Sequence, residues 1–171
     1  ARAMTQLVDA GDVLDIASGD GVLAELLAPR ARSIVCLDAS ARVASAARAR
    51  LKNHQNVEVV SGDMHALDLG RRRFDLVLLM HALTFSEEPA RVVAEAARVL
   101  AKGGRLLVAT LGKHAHRSAV EPFDHRNLGF KPADLRTFAT DAGLEVLSCE
   151  RISREAKAPH FEVLSLLARK P

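Results

Sequence analysis

The sequence predicts an α/β domain in which a mostly parallel sheet carries helices on both faces and closes with an antiparallel hairpin. Three observations carry that expectation. The stretch Val13-Leu14-Asp15-Ile16-Ala17-Ser18-Gly19-Asp20-Gly21 reads as a strand ending in a small-residue turn, and a helical pattern resumes over residues 22–27. Apolar runs then alternate with helical patterns, as parallel strands joined by crossover helices require. Near the end two strand-like runs follow one another with only a polar turn between them, so the last pairing is expected to be antiparallel.

Each element has a local reason. Residues 2–10 read as a short helix stopped by Gly11, and residues 12–16 as the first strand. The next helix covers 20–28, where Pro29 stops it. A second strand at 33–37 leads to a helix that Ser40 caps and that runs through the Ala-rich residues 41–52. The third strand is 57–60, and the near-continuous apolar run 74–80 suits a central strand covered on both faces. Residues 88–101 carry Val92, Val93, Ala96, Ala97 and Leu100 at helical spacing, with Lys102-Gly103-Gly104 as the expected stop. A fifth strand covers 105–111. Residues 112–130 show no periodicity and hold His114, His116 and His125, so they read as an active-site loop or lid. A helix opens at Lys131-Pro132 and stops at Gly143, and strands at 144–152 and 161–168 bring the total to seven.

At 171 residues the chain is expected to be one domain with one core, and its 49% hydrophobic and 26% charged residues place it among ordinary globular proteins. The net charge of +3 is spread out except at Arg71-Arg72-Arg73. Without interleaved aromatics, that triplet reads as a solvated loop in preference to the alternative of a nucleic-acid patch. Cys36 and Cys149 both fall inside apolar runs, so two reduced, buried thiols are expected. No signal-peptide pattern is visible and no apolar run approaches a membrane span, which makes the cytoplasm the expected location.

The chemistry centres on acids at strand ends. Asp15 ends the first strand and Asp38 the second, on either side of the turn, an arrangement that holds a ribose-bearing ligand in open α/β sheets. A dinucleotide turn would read G-x-G-x-x-G, but position 22 is Val, which disfavours a nicotinamide-dependent oxidoreductase. The turn instead resembles the D-x-G-x-G-x-G motif of S-adenosylmethionine (SAM) methyltransferases. Ala17 stands where that motif has its first glycine, a mild change provided the position keeps a negative φ. Phe74-Asp75-Leu76-Val77 and the run Arg98-Val99-Leu100-Ala101-Lys102-Gly103-Gly104-Arg105-Leu106-Leu107-Val108 resemble two further signatures of that family, with Lys102 in place of the usual Pro. The resemblance covers essentially the full chain and implies the Rossmann-like class I methyltransferase fold.

At closer range, residues 62–67 and 125–130 are similar to the methyltransferase domain that follows an ArsR-type winged helix in some bacterial transcriptional regulators. That likeness implies that an N-terminal winged-helix domain is missing here and would supply any nucleic-acid partner. It also offers a second reading, a SAM-binding sensor domain with little turnover. The scarcity of aromatics to line an acceptor pocket (six Phe, no Trp, no Tyr) fits that reading. With only two cysteines, arsenic chemistry is not expected.

The resemblance implies site roles residue by residue. Asp38, with Ala39 beside it, would take the ribose hydroxyls; Asp63 and Met64 would meet the adenine. Ala17, Ser18, Gly19 and Gly21 would pass under the methionine part, whose ammonium Asp15 would orient. Met80 and His81 close the fourth strand at the mouth, where ligands of such sheets sit. Methyl transfer needs positioning more than acid or metal, and a base only for a protonated hydroxyl or amine acceptor. His81 and His125 lead the candidates for that base, ahead of His114 and His116. His114-x-His116 has no Cys or carboxylate cluster beside it, so no metal site is expected. Residues 80–83 lack an N/D-P-P-Y-type loop, which favours a small-molecule acceptor over a nucleic-acid base. The oligomeric state stays open, a homodimer included.

Overall fold

The computed structural model describes residues 10–171, so the helix expected over 2–10 lies almost entirely outside the described residues. The strands are β1 (Gly11–Ile16), β2 (Ala31–Asp38), β3 (Val57–Ser61), β4 (Phe74–Met80), β5 (Leu100–Leu111), β6 (Glu145–Arg154) and β7 (Glu162–Arg169). The helices are α1 (Val22–Leu27), α2 (Ala41–Leu51), α3 (Pro89–Val99), α4 (Arg117–Val120) and α5 (Pro132–Asp141). The seven strands form one sheet in the order β3-β2-β1-β4-β5-β7-β6. β1 to β5 pair in parallel, and β7 runs antiparallel to both of its neighbours. The expected fold class is therefore the observed one, hairpin included.

Side-chain parity divides the core into two layers. Val13, Ile34, Cys36 and Leu78 join Ala24, Ala47 and Leu51 on the α1/α2 side. Their strand neighbours Leu14, Val35, Leu37, Val77 and Leu79 pack with Val92, Val93, Leu135 and Ala139 on the α3/α5 side. This period of two follows from alternate strand side chains pointing to opposite faces, and each large apolar side chain so buried contributes about 1.5–3 kcal/mol. The buried positions of α2 are Ala44, Ala47 and Leu51, and the two alanines let the helix lie close to the sheet while Leu51 fills the layer at its end. The order reverses between β1 and β4, which opens a crevice at their carboxyl ends.

Beyond shifts of one or two residues at strand and helix ends, two regions differ from expectation. α3 ends at Val99, before Lys102-Gly103-Gly104, because Leu100 turns extended and pairs with Phe74 at the start of β5. Its terminal carbonyls are capped from far away in sequence: Lys170 Nζ donates to the carbonyls of Ala97 (2.8 Å) and Leu100 (3.0 Å). Residues 112–130, expected to be irregular, contain α4 and a short 3₁₀ turn at Glu121–Phe123. Their base is clamped to β5, with Phe130 N–H donating to Leu111 O (3.0 Å) and Lys113 N–H to Phe130 O (2.8 Å). The clamp needs Gly129, since a Cβ there would lie 2.3 Å from Gly112 O.

Candidate functional site

All the candidate site residues lie at the carboxyl ends of β1 to β4, in the turns that follow them, or on the 112–130 lid. β1 delivers Asp15, and the turn that follows bends through two left-handed residues, Ala17 (φ 56°) and Gly19 (φ 59°), before Gly21 (φ 81°) enters α1. The mildness expected of Ala17 is therefore corrected: the position does use a positive φ, and an alanine there carries about 1–2 kcal/mol of backbone strain. At Gly21 a Cβ would also meet Leu51 of α2 at 2.6 Å, so this turn and α2 are packed as one unit. Ser18 N–H donates to Leu37 O (3.1 Å) and lashes the turn to the end of β2.

Asp38 is held from two sides by backbone donors. Gly19 N–H donates to Oδ2 (3.1 Å) and Ser40 N–H to Oδ1 (2.9 Å), across the exposed Ala39. Each oxygen keeps further acceptor capacity, so the carboxylate is oriented without being used up. Asp15 is only 2% exposed, and its Oδ2 has no hydrogen-bond partner among the described residues. Burial first, and the charge of Asp38 second, push its carboxyl up to about 7. A buried acid with an open oxygen is a place for a cationic or donor group. Burial, then the charge of Asp15, drives the neighbouring Cys36 thiol up to about 12, which fits an inert core cysteine; Cys149 is buried too, and both are free.

Beyond β3, Asp63 turns its Oδ1 toward His65, accepting from the backbone N–H (2.8 Å) and lying 2.7 Å from Nδ1. Met64 packs against the α3/α5 layer and Met80 against the α1/α2 layer, so the two methionines belong to opposite faces of the sheet. His81 leaves β4 in a left-handed conformation (φ 60°), its N–H bonded to Ala109 O (2.7 Å). Its carbonyl accepts from Thr84 Oγ1 (2.7 Å).

The lid brings the histidines together. His125 packs edge-on to Phe85 (ring centroids 5.2 Å) and near Phe123 (6.4 Å), while His114 meets Phe161 at 4.7 Å. Burial lowers His81, with a further push from the nearby charge of His125, and burial alone lowers His125. Burial also lowers His114, followed by His116 and His125. At His81, His114 and His125 the surroundings favour the neutral imidazole, the form that accepts a proton. His125 Nδ1 and His114 Nε2 are buried without partners among the described residues. A cavity of about 190 Å³ opens beside His125, lined also by Arg117, Val120 and Leu128. No group of three metal-ligating side chains is present among the described residues.

Sequence reasoning missed the aromatics. Phe85 is 44% and Phe123 65% exposed, and they with Phe161 gather around the histidines. Phe85 could have been suspected from its place four residues after His81; Phe123 and Phe161 converge only in the fold. A cavity of about 540 Å³ lies at the opposite ends of the strands, lined by Asp12, Ser33, Asn56 and Phe74, away from all these groups.

A family model described as a methyltransferase domain matches residues 14–108. The ubiquinone biosynthesis O-methyltransferase of Thiobacillus denitrificans is 33% identical over 149 residues, covering 78% of this chain and 64% of that protein. Among solved structures, a SAM-dependent methyltransferase from Methanosarcina mazei superposes with a TM-score of 0.79 at 16% identity, covering 99% of this chain and 96% of that one. The N-methyltransferase NodS of Bradyrhizobium japonicum, solved with S-adenosyl-L-homocysteine, gives 0.76 at 19% identity over 95% and 79%. At these identities the structural likenesses speak to the fold. The chain spans between 28% and 64% of the length of the curated relatives it matches.

Proposed function

Since the chain belongs to the methyltransferase-domain family, we propose that it transfers a methyl group from S-adenosylmethionine to a small-molecule acceptor. The observation that supports this reading best is the pair of acids around the turn: Asp38 held by two backbone N–H groups, and Asp15 buried with an open oxygen. These donors and acceptors fit the cofactor's parts. Asp38 offers its remaining lone pairs to a vicinal diol, Asp15 faces an ammonium, and Asp63 accepts from an adenine amine. Ala17, Ser18, Gly19 and Gly21 present backbone beneath the amino-acid part, while Ala39, Met64 and Met80 border the nucleoside. When bound, SAM supplies an electrophilic methyl on a sulfonium.

The chain's own contribution is to position and to exclude water. His81 and His125 accept the proton of a hydroxyl or amine acceptor, which their lowered basicity leaves them free to do at neutral pH. Phe85 and Phe123 give the acceptor apolar surface. Two free, buried thiols suit a reducing cytoplasm, and among the described residues no helix is long and apolar enough to cross a membrane.

Calorimetric titration with S-adenosylhomocysteine tests the cofactor site. Micromolar binding is expected, and Asp38→Ala weakens it at least about tenfold by removing charge-assisted hydrogen bonds. Unchanged binding in Asp38→Ala overturns the ribose assignment, and no binding to the native chain overturns the reading as a whole.

A further inference from the structure

Beside the adenine position a chain of hydrogen bonds runs inward that the reaction itself does not use. Asp63 Oδ1 lies 2.7 Å from His65 Nδ1, and His65 Nε2 lies 2.7 Å from Ser86 Oγ. The proton positions follow from the partners. A carboxylate accepts only, so Nδ1 carries the hydrogen. In the neutral imidazole with hydrogen on Nδ1, Nε2 is an acceptor, so Ser86 Oγ, which also accepts the Glu88 N–H (2.9 Å), donates its hydroxyl hydrogen to it. In hydrolases the same order of groups activates a serine nucleophile. Here Ser86 is 1% exposed and sealed between loops, so it acts as an anchor.

The anchor is itself fixed. Asn127 Nδ2 donates to Ser86 O (3.0 Å) and Leu83 O (2.8 Å), tying the loop after β4 to the lid. The backbone around His65 has independent supports on α3. Arg91 Nε donates to His65 O (2.9 Å), Leu67 N–H donates to Glu95 Oε2 (2.7 Å), and Arg98 donates to Leu67 O (2.8 Å). The loop is thus held whether or not the imidazole is present. The imidazole adds the second of two holds on Asp63 Oδ1, beside the His65 backbone N–H (2.8 Å); the Asp63 side chain is 64% exposed, and its Oδ2 makes no hydrogen bond among the described residues.

We propose that His65 is a positioning residue for purine recognition. It pins Asp63 Oδ1 so that Oδ2 is presented to the exocyclic amine of adenine, and Ser86 locks the imidazole in the tautomer that does so. This rests on the cofactor reading above and adds to it the group that makes the site select an amino-purine over an oxo-purine. Without the imidazole, Oδ1 keeps only the backbone N–H of residue 65, the exposed carboxylate turns more easily about that one bond, and its preference for an amine over a carbonyl falls.

The test compares S-adenosylhomocysteine with S-inosylhomocysteine, in which a carbonyl replaces the amine, by calorimetric titration. The native chain is expected to prefer the amine about tenfold or more. His65→Phe narrows that ratio to roughly threefold or less. His65→Asn keeps a donor where Nδ1 sits and recovers most of the preference, while Ser86→Ala gives an intermediate ratio. A merely structural role would weaken both ligands equally and leave the ratio unchanged, and that result overturns the proposal, as does failure of His65→Asn to exceed His65→Phe. A native chain that binds both ligands equally also overturns it, with the cofactor reading intact. A native chain that binds neither overturns the cofactor reading and the proposal together.

Discussion

Replacing Asp15 by Asn isolates what a buried carboxyl does to the stability of this fold. Its carboxyl moves from an ordinary 3.8 to about 7 on folding, first through burial and then through Asp38. The native state therefore binds the proton more tightly than the unfolded chain does. Stability from this group is complete below pH 3.8, falls by about 1.4 kcal/mol per pH unit above it, and levels off past pH 7. The whole loss is about 4 kcal/mol, of which about 3 kcal/mol falls between pH 5 and pH 8. Asn does not titrate. Urea unfolding of the native chain and of Asp15→Asn over that range is expected to show the native chain losing about 3 kcal/mol relative to the variant. A difference between the two that stays constant within about 1 kcal/mol from pH 5 to pH 8 refutes the reasoning. The same linkage acts on the ligand. If an ammonium lies beside Asp15, binding favours the ionised acid, so the affinity for S-adenosylhomocysteine rises with pH up to about 7 and the rise is absent in the variant.

Two other outcomes follow from geometry already described. Ala17→Gly relieves a left-handed alanine but adds freedom to the unfolded chain, for a net gain of about 1 kcal/mol and a rise of about 2–4 °C in Tm; a lower Tm would contradict the strain argument. With a hydroxyl or amine acceptor, the methylation rate is expected to rise through a midpoint below 6.5, because His81 and His125 are both lowered. A pH–rate profile with its midpoint above 6.5, or one that His81→Gln and His125→Gln leave unmoved, would remove them as bases.

The strands and helices were legible because their causes are local. Alternation at Val13-Leu14 and Ile34-Val35 assigns faces, Ser40 caps α2 with its hydroxyl accepting Val43 N–H, and apolar spacing in 88–101 gives α3 its buried side. The acids were legible because strand ends place them. What stayed hidden depends on groups distant in sequence. The end of α3 is decided by Lys170, seventy-odd positions onward, and by the pairing of Leu100 with Phe74. The sign of φ at Ala17 comes from the turn's passage under β2, which no single residue type announces. His114, His116 and His125 read as separate loop residues, and only the fold sets His125 near His81 and His114. His65 and Ser86, twenty-one positions apart, meet only across the crevice.

The place of β7 has a consequence for how the molecule is made. β7 lies between β5 and β6, yet a ribosome releases it after both, and among the described strands β6 pairs with β7 alone. Until β7 inserts, β5 shows an open edge of backbone donors and acceptors, and β6 has no strand to pair with and only α5 against it. Lys170, which closes α3, follows one residue behind β7. A nascent chain stalled before that point therefore carries most of the cofactor-side residues in a sheet that cannot yet close, and it is this late interval that exposes it to mispairing with other chains.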